Sequence, residues 1–444
     1  MVLIGREAQL YDLQYIFGKN CSNQYVIVPS SASPDKTVEV FYKTVLHNRG
    51  NTIICVQNEE EIIQIFAKES LFVRKDFYVF SDLKKPFLAI QKLAGLTESA
   101  AENLWSCYQK IYYAPHGRYA PCHHPFYETE ITCTGSVYTC CSAIMGCDIG
   151  SIQHATFSSI WHSCKAKLLR LSVLNGTAIF CSQEKCQHLR KQTYPPRYAA
   201  VQVSDWPLTL NMAIDETCNL SCPSCRRGLQ IADKKAQQEK ESWIQTLDQD
   251  LYGGIQDLYV AGNGECMISC VYQNFLTGPV MKNFSGKLHL LTNGQIIDQQ
   301  LLKKLSEKFC PEILISMDAA SADTYAHLRR GGKFNTIISN IQKYVHLRQN
   351  GIISQITVRF VVQAANYREI PDFIRKMREL GVDRIEFTRL VDCGAFELGE
   401  FEEMTLLDEN GKLYMKYKSF FIQNIYPCLG KDVVMDQAYM SAEL

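Results

Sequence analysis

Three cysteines in the spacing C-x3-C-x2-C, Cys218, Cys222 and Cys225, follow directly on the strand-like run Leu208–Ile214. This feature constrains the chain most, because a loop that short must wrap three thiols around one small space at a strand end. An iron–sulfur cube fits such a loop, with one iron left without a protein ligand, and thiolates are the usual ligands of these clusters. Zinc sites ordinarily close with a fourth ligand, and no His or Cys lies between Cys225 and Cys266. An incomplete zinc site and three coincidentally buried thiols are the competing readings.

The fold around the loop reads from periodicity. Strand-like runs recur at Leu208–Ile214, Asp257–Ala261, Lys287–Leu291, Ile313–Met317, Gln355–Val362 and Arg384–Thr388, with helical stretches between them. Such alternation predicts a parallel α/β sheet, here a partial (β/α)6 barrel over 205–400 whose working face lies at the C-terminal strand ends. Upstream, residues 1–115 predict a smaller open α/β domain. Its strands are Tyr25–Pro29, Asn51–Val56 and Asp76–Phe80, with helices over Asp35–His47 and Glu59–Lys68. It has no glycine-rich phosphate loop, so no nucleotide site is assigned to it. Residues 401–444 read only as a packed or interaction tail.

Composition supports this frame and removes some partners. There are 46 Lys plus Arg against 46 Asp plus Glu, so no broad field favours nucleic acid or an anionic membrane. No apolar run approaches the about 18 residues of a membrane span, and the first residues lack the regions of a signal peptide. The expected location is therefore cytoplasmic. A count of 19 cysteines is high for a reducing compartment, where disulfides are disfavoured.

A second cysteine set lies in a small Cys-rich α+β region, residues 116–193. Gly135 sits where Phe126–Cys133 and Val137–Cys141 would join in a hairpin, bringing Cys122 near Cys140. The C-x4-C pair Cys181 and Cys186 can close the site from the other side. Four thiolates saturate a [4Fe-4S] cluster and suit it to electron transfer; a structural zinc site of four cysteines is the alternative. Cys140 and Cys141 are adjacent, and either can be the ligand.

The loop Cys218–Cys225 resembles that of the radical S-adenosylmethionine (SAM) enzymes, over essentially all of 205–400. The resemblance implies a [4Fe-4S] cluster on the three cysteines. It also implies SAM bound at the open iron and cleaved to a 5′-deoxyadenosyl radical that abstracts hydrogen from substrate. Gly262-Asn263-Gly264-Glu265 resembles the family's GGE segment with Asn263 inserted, and implies that Glu265 accepts from the SAM ammonium. Ser316 and Asp318, ending the fourth strand, fall where ribose or carboxylate contacts are implied; helix capping by Asp318 or Ser321 is the other reading. Tyr325-x3-Arg329-x-Gly331 resembles another family stretch, and implies that Arg329 grips the SAM carboxylate in a fork; a surface arginine is the alternative. Gln363 and Asn366 are further pocket candidates. Cys266 can donate a hydrogen atom or serve as a small buried hydrophobe.

The upstream set resembles the opening C-x(9–15)-G-x4-C of SPASM or twitch domains, with Gly150-Ser151-Ile152 and Ile160-Trp161 as further matches. It implies an auxiliary [4Fe-4S] cluster. Such domains generally follow the barrel, whereas here the set precedes it. Together the resemblances imply a radical SAM enzyme, an oxidoreductase or maturase, that modifies a peptide or protein and takes electrons from a reductant such as flavodoxin or ferredoxin. Oxidation or epimerisation of a small polar molecule such as a sugar is the second reading. A metal-binding interaction module without radical chemistry is the third.

Overall fold

The computed structural model describes residues 122–186 and 205–440, apart from short gaps, together with four strands nearer the N-terminus. The chain divides into two compact units, one of residues 1–121, 162–179 and 193–199, the other of 122–161, 180–192 and 200–444.

In the first unit, β1 (Val2–Arg6), β2 (Gln24–Val28), β3 (Thr52–Cys55) and β4 (Tyr78–Val79) form a parallel sheet in the order β2-β1-β3-β4. Three of these are the apolar runs read from sequence, and β1 was missed. The helices expected at Asp35–His47 and Glu59–Lys68 lie outside the described residues.

The second unit is built on a ten-stranded sheet, β14-β13-β12-β11-β10-β9-β8-β5-β6-β7. Its centre is six consecutive parallel strands: β8 (Thr209–Ala213), β9 (Asp257–Val260), β10 (Lys287–Thr292), β11 (Glu312–Ser316), β12 (Gln355–Val362) and β13 (Arg384–Arg389). Leu290, Ile313, Ile315, Ile356, Val358 and Phe360 on these strands are fully buried, the near-continuous apolar pattern of a covered parallel sheet.

Local chemistry punctuates the helices between. Asp233 caps α1 (Lys234–Thr246) by accepting from the Ala236 amide, and Asp298 caps α2 (Gln299–Ser306) through Leu301. α3 (Ala322–Leu328) and α4 (Phe334–Gln349) bridge β11 and β12. α5 (Ile370–Leu380) buries Ile370, Phe373, Ile374 and Met377 at helical spacing and stops at Gly381, whose φ of 82° is the left-handed cap. Phe373 packs its ring 4.7 Å from Phe360 and 6.0 Å from Phe387.

The two sheet edges carry what the periodicity did not show. At one, β5 (Glu128–Thr132) lies parallel to β8, and β6 (Ser136–Tyr138) and β7 (Gly150–Ser151) extend it antiparallel. Gly135, at φ 71°, makes the turn of the expected hairpin. Phe126 and Tyr127, read as the start of its first strand, lie instead in a short helix, His124–Tyr127. At the other edge, β14 (Val433–Met435) from the unread tail pairs parallel with β13.

Candidate iron–sulfur centres

Each thiol of the first loop meets a nitrogen donor of its own. Asn293 Nδ2 lies 3.7 Å from Cys218 Sγ, Arg329 Nη1 lies 3.8 Å from Cys222 Sγ, and Arg226 Nε lies 3.4 Å from Cys225 Sγ. Cys218 and Cys222 are buried, and Cys225 is exposed. Burial pushes the thiols of Cys218 and Cys222 up, against Arg226 and Asn293 at the first and Arg329 at the second. Thiolate ligands fit this donor set, because N–H groups favour charged sulfur.

The loop is held from behind. Asp215, fully buried, accepts from Ser269 at 2.6 Å and Lys240 at 2.9 Å, and Tyr272 donates to its carbonyl at 2.9 Å. Burial raises this carboxyl, but the Ser269 and Lys240 hydrogen bonds outweigh it and hold it below the usual range. Arg226 also donates to the Glu216 carbonyl at 2.6 Å and to that of Asn263, tying the cysteine loop to the glycine segment. Lys240, Arg226 and Asn293 escaped the sequence reading, since a lone cation or amide carries no spacing signal.

The remaining first-site candidates sort by their partners. Glu265 has no exposed surface; its carboxylate accepts from Thr292 Oγ1 at 2.7 Å and the amides of Asn293 at 2.6 Å and Met267 at 3.1 Å. This carboxylate joins the loops after β9 and β10. Gly264 has a packing reason: a Cβ there would lie 2.4 Å from the Asp215 carbonyl oxygen. At Gly262 a Cβ would meet that of Ala213 at 2.9 Å. Cys266 is fully buried and donates to the Leu291 carbonyl at 3.1 Å, the environment of a small buried side chain.

Asp318 does not cap the helix; Ser321 does, accepting from the Thr324 amide. Asp318, at φ 63°, accepts from the Val361 amide at 2.7 Å and pairs with Arg329 Nη2 at 2.6 Å. Burial pushes its carboxyl up, and the guanidinium opposes that shift. Arg329 is thus no surface arginine, and its Nε is buried without a hydrogen-bond partner. Ser316 ends β11, half-buried. Asn366 donates to the carbonyls of Asp318 and Val361, both at 2.9 Å, and so holds the scaffold. Gln363 is 1% exposed, and neither polar atom of its side-chain amide has a partner.

The second set lines a cavity of about 270 Å³ with Cys122, Cys140, Cys141, Cys181 and Cys186. Thr388, Arg389, Val391 and Asp436 complete the wall. The cavity is therefore lined from both edges of the ten-stranded sheet, the β5–β7 side and the β13–β14 side. Lys185 strengthens the crossing by donating to the Asp392 carbonyl at 2.5 Å. On β5, Glu130 accepts from the Ser142 amide at 2.6 Å and so fixes the turn carrying Cys140 and Cys141. Burial pushes the Cys122 thiol up to about 11 and that of Cys181 to about 12. Among the described residues no group of three or more His, Cys, Asp or Glu is set to hold a single metal ion. A cluster takes its thiolates on separate irons, so its ligands need not converge on one point.

The family model of the SPASM iron–sulfur cluster-binding domain matches residues 122–191. The chain is 27% identical over 181 residues to the PqqA peptide cyclase of Gluconobacter oxydans, covering 40% of this chain and 48% of that one. It is 25% identical to the tungsten-containing aldehyde ferredoxin oxidoreductase cofactor-modifying protein of Pyrococcus furiosus, over 41% of this chain and 51% of that protein. It is 23% identical to the GTP 3′,8-cyclase of Desulforamulus reducens, over 43% and 59%. The chain thus spans about half the length of these relatives. Among solved structures, Streptococcus suis SuiB bound to S-adenosylmethionine aligns over 52% of this chain and 50% of its own at 16% identity, with a TM-score of 0.36. Among the described residues no helix is long and apolar enough to cross a membrane. The domain matched over residues 122–191 is one that binds an iron–sulfur cluster. Residues 122–191 thus match the SPASM iron–sulfur cluster-binding domain, and the chain as a whole is similar to radical SAM proteins.

Proposed function

We propose that this protein is a radical SAM enzyme that modifies a peptide, with Cys218, Cys222 and Cys225 holding the SAM cluster and Cys122, Cys140, Cys181 and Cys186 the auxiliary one. The observation that carries this reading is the separate nitrogen donor at each of the three loop sulfurs. When bound, these groups supply a 5′-deoxyadenosyl radical at one site and an electron acceptor at the other. The protein's part is to orient, to exclude water and to hold charge. Asp318 aims Arg329, whose free Nε suits a carboxylate such as that of SAM. Gln363 offers an unpaired buried amide to cofactor or substrate. Asp215, Lys240 and Glu265 act behind the site as positioning residues.

The substrate class rests on the relatives: a peptide cyclase favours a peptide, and a GTP cyclase keeps a small polar molecule as the second reading. Flavodoxin or ferredoxin is the proposed reductant. A short peptide encoded beside the gene is the probe. Incubated with reconstituted protein, SAM and dithionite, it should lose about two mass units, one hydrogen molecule's worth, on crosslinking. An unchanged peptide, alongside turnover of a sugar or nucleotide, would overturn the peptide reading.

A further inference from the structure

The Arg389 side chain, 8% exposed, leaves the end of β13 and enters the wall of the second cysteine cavity. Its Nε lies 3.4 Å from Asp436 Oδ2, a long pairing, and that carboxylate's other oxygen accepts from the Ala438 amide at 2.9 Å. Its Nη1 is buried and has no hydrogen-bond partner. An unsatisfied donor on a buried cation is costly. The cavity it lines is shared with Cys122, Cys140, Cys181 and Cys186, together with His124, Glu128 and Lys185. His124 and Glu128 already pair with each other, and Lys185 is engaged by Asp392. The free donor therefore belongs to a side chain that shares one cavity with these cysteines and borders a second, of about 500 Å³, with Lys185 and Asp392.

We infer that Arg389 is a tuning residue of the auxiliary cluster, donating from Nη1 to its sulfur and placing a fixed positive charge beside it. The inference rests on the reading of the four cysteines as cluster ligands. Reduction adds one negative charge to a cluster, and an adjacent guanidinium stabilises that form, so the potential rises. Hydrogen bonds to cluster sulfur and local charge both set such potentials. Asp436 works the other way, drawing part of the charge off. An arginine from the last strand of the parallel core thus adjusts a cluster held on the opposite edge of the sheet.

The test is a redox titration of the reconstituted full chain followed by electron paramagnetic resonance, without substrate. The cluster signals are separated beforehand in a Cys218→Ala, Cys222→Ala, Cys225→Ala background. Arg389→Gln should disfavour reduction about tenfold, a fall of about 59 mV for one electron. Asp436→Asn should raise the potential, and Arg389→Lys should restore much of the wild-type value. An auxiliary potential unmoved by Arg389→Gln overturns the inference; should that variant not load, an Asp436→Asn potential that fails to rise overturns it equally. Background protein that takes up no auxiliary cluster overturns the ligand assignment instead, which keeps the two failures apart. An Arg389 that serves a substrate carboxylate would change only the KM for substrate, and that result too contradicts the proposal.

Discussion

Arg329 shows how much one buried side chain decides at the first site. It has no hydrogen-bond partner at Nε, one ion pair at Nη2 with Asp318, and Cys222 sulfur within 3.8 Å of Nη1. Its position in Tyr325-x3-Arg329-x-Gly331 was legible, because the spacing is fixed; its partner was not, because Asp318 reads equally well as a helix cap. Removing one member of a buried pair strands the other charge. Asp318→Asn should therefore lower unfolding free energy by about 3–5 kcal/mol in urea titrations. The Asp318→Asn, Arg329→Met double variant should recover most of it. Equal stability of the single variant and the wild type would show that the pair is not held as described. Glu265 teaches the opposite lesson: its place in a recognisable segment was legible, whereas the hydroxyl and two amides that donate to its carboxylate were not.

At the level of elements, the six core strands were legible nearly to the residue. Runs such as Gln355–Val362 bury both faces and leave little doubt about period. The strands missed or misread were β1, β7, β14 and the beginning of the hairpin, all short and at margins where pairing, not local pattern, decides. The starts of the core strands also hold a titrating element. His289 on β10 sits between Asp257, 2.9 Å away on β9, and Glu312, 2.7 Å away on β11, with its ring stacked 4.2 Å from Tyr259. Burial lowers its affinity for a proton, but the two carboxylate hydrogen bonds outweigh that and raise its pKa above the usual value. A raised folded pKa contributes stability that is complete below the unfolded value of about 6.5 and disappears as pH climbs through the folded one. His289→Gln should consequently cost more stability at pH 6 than at pH 9, measured as the shift in urea midpoint. A cost that grows with pH would reverse the assignment.

Among the described residues of the second unit, the sheet does not close by strand pairing, and its two edges meet around the second cysteine cavity. The cysteine spacing announced a cluster upstream of the core. It gave no sign that Thr388, Arg389 and Asp436 would form the facing wall, since those residues lie more than 200 positions away. A cluster at this seam should act as a staple as well as a redox centre, because a ligand that binds only the folded state stabilises it. The Cys181→Ala, Cys186→Ala variant should lose about half of the iron and unfold at a lower temperature than the wild type. Retention of all the iron with an unchanged melting temperature would remove both roles from that pair. The central claim, two clusters with only the first able to use SAM, meets its most direct test in one measurement on anaerobically reconstituted protein: iron per chain together with 5′-deoxyadenosine formed from SAM and dithionite. The wild type should hold about eight irons, two four-iron clusters, and form 5′-deoxyadenosine, while Cys218→Ala should form none. About four irons with one zinc, or undiminished 5′-deoxyadenosine from Cys218→Ala, would contradict it.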